Sequence, residues 1–354
     1  MYKTENKPCT KPFTFKLEDC LACSSCISDF SNNIPTIKDL KTKPFSFLIS
    51  IHSKINMYFH YKKYKNVSYV VFECILTNFL KHIFQITKII DTSFYQYSLN
   101  KQVYEESNMK KIIISDCPGT VAYIESQGVH LIQYLSKVYT QQQISASNLK
   151  NVVSVVQCYD KKMENGRDCT NIEYILTTFE FYNLIIENGF LEFDDRSEIF
   201  EWEKSYGDGN LYGYLDYIKT VDNLNIKTNY PNFSLKTVSK PLEIKLNGKR
   251  NINKNNIREE FLVQCNGLTK KYLRIIGLEH LINFIKDTKI NGLNYDVCEI
   301  YICSNGCLNG PGQVFFDEKL EKYFLNDSKI DLNIEKKERE YKEIKMRKKY
   351  LVEW

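Results

Sequence analysis

The sequence predicts an α/β fold built on parallel sheets, with a small metal-held segment in front of it and a charged tail behind. Three observations predict this. From Lys111 onward, short apolar β-rich runs alternate with helical patterns, the arrangement of βαβ units. Cysteines follow several of these runs directly, at the sheet edge where ligand crevices form. Residues 1–35 are short of core-forming runs and dense in cysteine, and so small a unit needs a metal to hold its shape.

In chain order, residues 36–66 read as a polar, aromatic-rich connection with some helix. The most apolar window, Ser68 to Ile90, carries Glu73, Lys81, His82 and Lys88. It fits a buried amphipathic helix, preceded by a strand, better than a membrane span. "KIIIS" (111–115) reads as a buried strand, and "TVAYIESQGVHLIQYLSKV", after Pro118-Gly119, as one helix. "NVVSVVQ" (151–157) and "IEYILTT" (172–178) are further strands, the second followed by the helical "EFYNLIIENG". "KYLRIIG" (271–277) leads into the helix "LEHLINFIKDT", and "DVCEIYI" (296–302) is another strand. The polar, turn-rich stretch from Asn223 to Asn256 is an exposed insertion or a join between two lobes. From Glu335 to Lys349 the i,i+4 pairs Glu335–Arg339, Glu338–Lys342 and Glu343–Arg347 mark a solvated helix face rather than a nucleic-acid patch. The expected division is 1–35, 36–325 with the join near 223–256, and 326–354.

With 354 residues, 43% of them hydrophobic, and a net charge of +5, the chain can bury a sizeable core and shows no charge excess that calls for nucleic acid. Its opening "MYKTENKPCTKPF" lacks the apolar run of a secretion signal. The twelve cysteines are therefore expected in a reducing compartment, where clustered thiols bind metal rather than form disulfides. The five histidines are scattered without ligand spacing, and there is no Ser-His-Asp set, Walker loop or GxGxxG after a strand.

Two constellations of cysteine carry the chemistry. Cys20, Cys23 and Cys26 form Cys-x2-Cys-x2-Cys, the spacing with which one loop wraps a cubane iron–sulfur cluster. Cys9 is the nearest fourth ligand and Cys74 the reserve; zinc is the alternative metal, although its motifs bring cysteines in pairs on a longer arm. Cys117 follows "KIIIS", Cys158 follows "NVVSVVQ", and Cys303 and Cys307 follow "DVCEIYI". Four soft thiolates gathered at one sheet edge match a second cluster. Gly306, Gly310 and Gly312 are expected to bring the backbone close to it and turn N–H groups toward its sulfides. Cys74, Cys265 and Cys298 sit in apolar runs and read as core, Cys169 as a loop thiol. Glu164 and Glu299 read as acids beside a cluster or as structural carboxylates paired with lysines.

These motifs resemble the iron-only hydrogenase-like family, specifically its cytosolic iron–sulfur assembly branch, related to nuclear prelamin A recognition factor. The family carries Cys-Pro, then Cys-x-x-Lys-x-x-Glu, then Glu-x-x-x-Cys-x-x-Gly-Cys-x-x-Gly-x-Gly-Gln. Here these stand as Cys117-Pro118-Gly119, as Cys158 with Lys161 and Glu164, and as Glu299, Cys303, Gly306, Cys307, Gly310, Gly312 and Gln313. The resemblance implies a two-lobed core behind a ferredoxin-like segment and two [4Fe-4S] clusters. Cys9, Cys20, Cys23 and Cys26 would hold the first, and Cys117, Cys158, Cys303 and Cys307 the second, between the lobes. It implies a cytoplasmic adaptor, with the nucleus as a second location. Its partners would be an early scaffold, a P-loop ATPase pair, and a WD40-containing complex that delivers clusters to apoproteins. The final Glu353 and Trp354 would anchor that complex.

The chain departs from the pattern at Pro311, at Phe179 where the family has glycine, and at Asp116, which replaces a proton-shuttling cysteine. A working hydrogenase needs that proton path and accessory clusters for electrons, so the assembly role is preferred to hydrogenase activity. A ferredoxin-like electron carrier is the remaining alternative.

Overall fold

The structure, a computed structural model, describes residues 35–147, 149–168, 172–197, 233–234, 257–265, 268–303 and 306–315. The cysteine-rich segment with Cys9, Cys20, Cys23 and Cys26, most of the polar stretch 223–256, and the tail with Glu353 and Trp354 lie outside the described residues.

The chain begins with a helical turn, α1 (Ile37–Leu40), then β1 (Phe45–Ile49) and α2 (Ile51–Tyr61). Next come α3 (Tyr69–Ile83), β2 (Ile86–Asp91), α4 (Gln96–Met109), β3 (Ile112–Ile113), α5 (Pro118–Gln127) and α6 (Gln141–Ser147). They are followed by β4 (Val152–Val156), α7 (Tyr159–Asp168), β5 (Ile172–Thr177) and α8 (Thr178–Ile186). Last are β6 (Phe233–Ser234), β7 (Ile257–Cys265), β8 (Leu268–Ile276), α9 (Leu278–Asn291) and β9 (Val297–Tyr301). One sheet has the order β2-β1-β4-β5 and is parallel throughout. The other has the order β3-β9-β8-β7-β6; β3, β9 and β8 are parallel, while β7 runs antiparallel to both β8 and β6. The chain leaves the first sheet for β3 and returns for β4, so both lobes draw on residues before 223.

Three local expectations are corrected. Residues 36–66 are not a mere connection: β1 lies between β2 and β4, every residue of it is buried, and α2 follows it. The strand in the Ser68–Ile90 window follows the helix instead of preceding it. Ser68 caps α3 at its start by accepting the Val71 N–H, and the backbone turns extended at Phe84. The long helix expected after Pro118 ends at Gln127, because Gly128 leaves helical geometry (φ −118°, ψ 39°) and Val129–Tyr134 wind into a 3-10 turn.

Each sheet has its own core. Phe45, Phe47, Phe72, Phe79, Phe181 and Phe190 pack under the first, where both sheet faces are covered. Val121, Ile124, Leu281, Phe284 and Ile300 pack under the second. A third, small cluster joins the lobes: Ile51 and Ile55 of α2 meet Leu308, which lies beyond β9, with Phe59 and Phe315 beside them. Deep in the first lobe the Lys54 Nζ lies 2.5 Å from Glu73 Oε1 and 2.6 Å from Asp91 Oδ2, a buried ionic triad joining α2, α3 and the end of β2. Among the described residues, no helix is long and apolar enough to cross a membrane.

Candidate metal centre

Cys117, Cys158, Cys303 and Cys307 line one cleft with about 380 Å³ of empty space, together with Asp116, Gln157, Asp160, Lys161, Tyr301 and Gly310. The strands deliver them. Cys117 follows β3 and stands just before α5, whose first residue is Pro118, a residue with a preset helical φ and no N–H to leave unpaired. Cys158 leaves β4 and precedes α7. Cys303 leaves β9, and Cys307 opens a short 3-10 turn on the same loop. Two thiols thus stand at helix N-termini, where the macrodipole favours a thiolate.

Cys74, Cys117, Cys158, Cys298, Cys303 and Cys307 are free thiols. Cys74 and Cys298 are core side chains, 5% and 0% exposed, as expected; Cys74 sits within α3 and does not line the cleft. Cys169 lies outside the described residues.

The electrostatics of the four cleft thiols are mutual. Burial pushes Cys158 well up, with Asp160, Cys307 and Cys117 pushing further. Burial does the same to Cys303, joined by Cys158, Cys117 and Cys307. Cys307 is pushed up to about 12 by burial, then by Cys117 and Asp116, while Lys161 pulls it down. Cys117 is raised, again chiefly by burial. Four thiolates cannot coexist in this cleft without a positively charged group among them, and an iron–sulfur core is such a group. The donor set, four sulfurs spread around a cleft, fits a polynuclear cluster.

The glycines act differently from expectation. Their N–H groups donate to backbone carbonyls and not toward the cleft: Gly306 to Cys303 (3.2 Å), Gly310 to Cys307 (3.2 Å) and Gly312 to Gln157 (3.1 Å). Gly306 has φ 66°, a conformation that favours glycine. At Gly310 a Cβ would stand 2.6 Å from the Gln157 carbonyl oxygen. The glycines therefore let the two-cysteine loop of one lobe lie flat on the end of β4 in the other. Gly310→Ala is expected to force that loop away at a cost of about 1–3 kcal/mol, the usual penalty for overpacking. Faster iron loss to a chelator would report it. Phe179 does not obstruct the site; it is half-exposed and donates its N–H to the Gly312 carbonyl at 2.9 Å.

Both family acids are paired. Glu164 Oε2 lies 3.3 Å from the Lys161 Nζ, which is also 3.8 Å from Asp116 Oδ1. Glu299 lies 3.5 Å from Arg274 on the neighbouring strand, and accepts the Tyr301 hydroxyl at 2.9 Å. Each acid thus has a cationic partner, with arginine rather than lysine at Glu299. Asn56 was missed in the sequence. It is fully buried on α2, and its amide holds the loop that carries Cys303 and Cys307. The readable signal was a lone amide inside the otherwise apolar turn "INMYF".

Comparison with known proteins places residues 50–311 in the family described as iron only hydrogenase large subunit, C-terminal domain. The cytosolic Fe-S cluster assembly factor NAR1 of Encephalitozoon cuniculi (strain GB-M1) is 33% identical over 330 residues, covering 87% of this chain and 84% of its own length. Protein NAR1 of Arabidopsis thaliana is 27% identical over 392 residues, covering 91% and 79%. Among solved structures, an apo [FeFe]-hydrogenase HydA1 variant from Chlamydomonas reinhardtii matches with a TM-score of 0.56 at 16% identity, covering 85% of this chain and 86% of that one. That likeness concerns the fold alone.

Proposed function

We propose that this chain, which belongs to the hydrogenase-like family of cytosolic iron–sulfur cluster assembly factors, is itself such a factor and not a hydrogenase. The observation that carries the proposal is the gathering of Cys117, Cys158, Cys303 and Cys307 from three strand ends of two lobes into one cleft. These four would hold one [4Fe-4S] cluster, and Cys9, Cys20, Cys23 and Cys26 a second. When bound, such a cluster supplies an exchangeable or electron-accepting metal centre. The chain's own residues exclude water from it, orient its ligands and set the charge around it.

Two things support assembly over hydrogen chemistry. Two relatives that span most of the chain bear assembly-factor or NAR1 names. Asp116, at the place of a proton-shuttling thiol, is engaged by Lys161. The inner cluster is the stably held one. The outer, on a small segment, is the exchangeable centre that faces the early scaffold, and Glu353 with Trp354 engages the WD40-containing targeting complex.

Depleting the chain from cells should empty cytosolic and nuclear [4Fe-4S] apoproteins of iron while their polypeptide levels stay constant. The purified, cluster-loaded chain should evolve no hydrogen from a reduced dye. Deleting Trp354 should release the WD40 complex in a pulldown. Hydrogen evolution, or full client loading in depleted cells, would reject the reading; reduction of the chain by a cytosolic reductase, with clients fully loaded, would favour the electron carrier.

A further inference from the structure

We propose that Asn56 is the positioning residue that fixes Cys303 and Cys307 in register with Cys117 and Cys158, an inference that rests on the four-cysteine reading above. Asn56 lies on α2 of the first lobe, whereas both cysteines leave β9 of the second. Its side chain spans the gap. The Asn56 Nδ2 donates to the Leu308 carbonyl at 2.9 Å and to the Phe315 carbonyl at 2.5 Å. Its Oδ1 accepts the N–H groups of Val314 at 3.0 Å and Phe315 at 2.9 Å. An amide has two donors and two acceptor lone pairs, and here all four are used on one loop.

The amide thus holds the loop at two points, directly after Cys307 and at the loop's far end. Between them the backbone has little freedom. Gly312 donates to the Gln157 carbonyl, Phe179 donates to the Gly312 carbonyl, and the Gln313 side chain donates to the Cys307 carbonyl at 3.0 Å. Gln157 is the residue before Cys158, so the loop that carries two thiols is tied to the backbone beside a third. Asn56 is fully buried, which makes each bond costly to leave unmade. The side chain is an internal splint between lobes: it makes the ligand spacing a property of the apo fold, so the four sulfurs are arranged before iron arrives.

The experiment uses the full chain, first as apo protein and then reconstituted anaerobically with iron and sulfide. Asn56→Leu keeps the volume and removes all four hydrogen bonds. In the apo chain it should speed amide exchange at Val314 and Phe315 by about tenfold or more, the effect of losing bonds of this kind. In the loaded chain it should speed iron release from the inner site to a chelator by a similar factor and change the EPR signature of the reduced inner cluster. Asn56→Asp, which keeps the accepted bonds and loses the donated ones, should fall between wild type and Asn56→Leu, and it stands in if Asn56→Leu does not fold. Lys54→Met, on the same helix but away from the loop, should lower overall stability and leave the loop exchange, release rate and EPR signature near wild type. If Asn56→Leu matches wild type in loop exchange, or if Lys54→Met reproduces its full effect, the proposal fails. If wild type loads no cluster that depends on Cys303, the four-cysteine reading fails, and apo-state exchange still decides whether Asn56 holds the loop.

Discussion

Replacing Cys303 with alanine is expected to empty the inner site and leave the outer one loaded. Iron per chain should fall from about eight to about four, with acid-labile sulfide falling in parallel, as expected for loss of one cubane of two. The effect should be all-or-none because Cys303 and Cys307 come from one lobe and Cys158 from the other, with only the short β3 supplying Cys117. With one of the four thiols gone, the remaining three would hold a cluster incompletely. Cys298→Ala is the matched control: that thiol is fully buried within β9, and burial holds it far above its ordinary value, so it should cost packing and no iron. Cys20→Ala should give the complementary loss, four irons from the other end. Chelator kinetics on the two variants separate the clusters, the outer one leaving faster. Unchanged iron content in Cys303→Ala would remove the basis for the inner cluster.

The largest expected effect on stability is at Lys54. Its ammonium is fully buried against Glu73 and Asp91, and Asp91 also accepts the Ser93 N–H at 2.9 Å to start the turn after β2. Lys54→Met fits the space but strands two buried carboxylates, and breaking such a group by removing one partner costs about 3–5 kcal/mol. That is a large share of the ~5–15 kcal/mol by which a domain is stable. Denaturant unfolding of the apo chain would measure it, and a loss below ~1 kcal/mol would mean that the carboxylates find other partners. Restoring charge balance with Glu73→Gln in the same chain should recover part of the loss. The pH dependence has a definite sign. Burial alone pulls the Lys54 value down, but Asp91 and Glu73 overcome it, leaving it above its ordinary 10.5. The Lys54 contribution is therefore complete at neutral pH and is lost as pH rises through that folded value.

The four cysteines that line the cleft were legible in the sequence. Cysteine spacing is a local property, and the positions of Cys117, Cys158, Cys303 and Cys307 after apolar runs place them at strand ends, because parallel strands put all their carboxyl ends on one edge. The α/β alternation was readable for the same reason. β1 was not: a five-residue strand between a turn and a helix gives little periodicity, and its central place depends on pairing with β2 and β4, far along the chain. The antiparallel β7–β8 pair, which makes the second sheet mixed, likewise lay outside the reading.

By itself, then, the amino-acid order determined which thiols are available and on which edge of the fold they emerge, since spacing and strand periodicity act over a few residues. Only the tertiary structure decided how they meet. The Asn56 amide, the Gln157 carbonyl under Gly310 and the Lys54 triad act between segments far apart in the chain. Burial is what gives them weight, because a hydrogen bond or charge removed from water must be answered by a partner whose position no local pattern encodes.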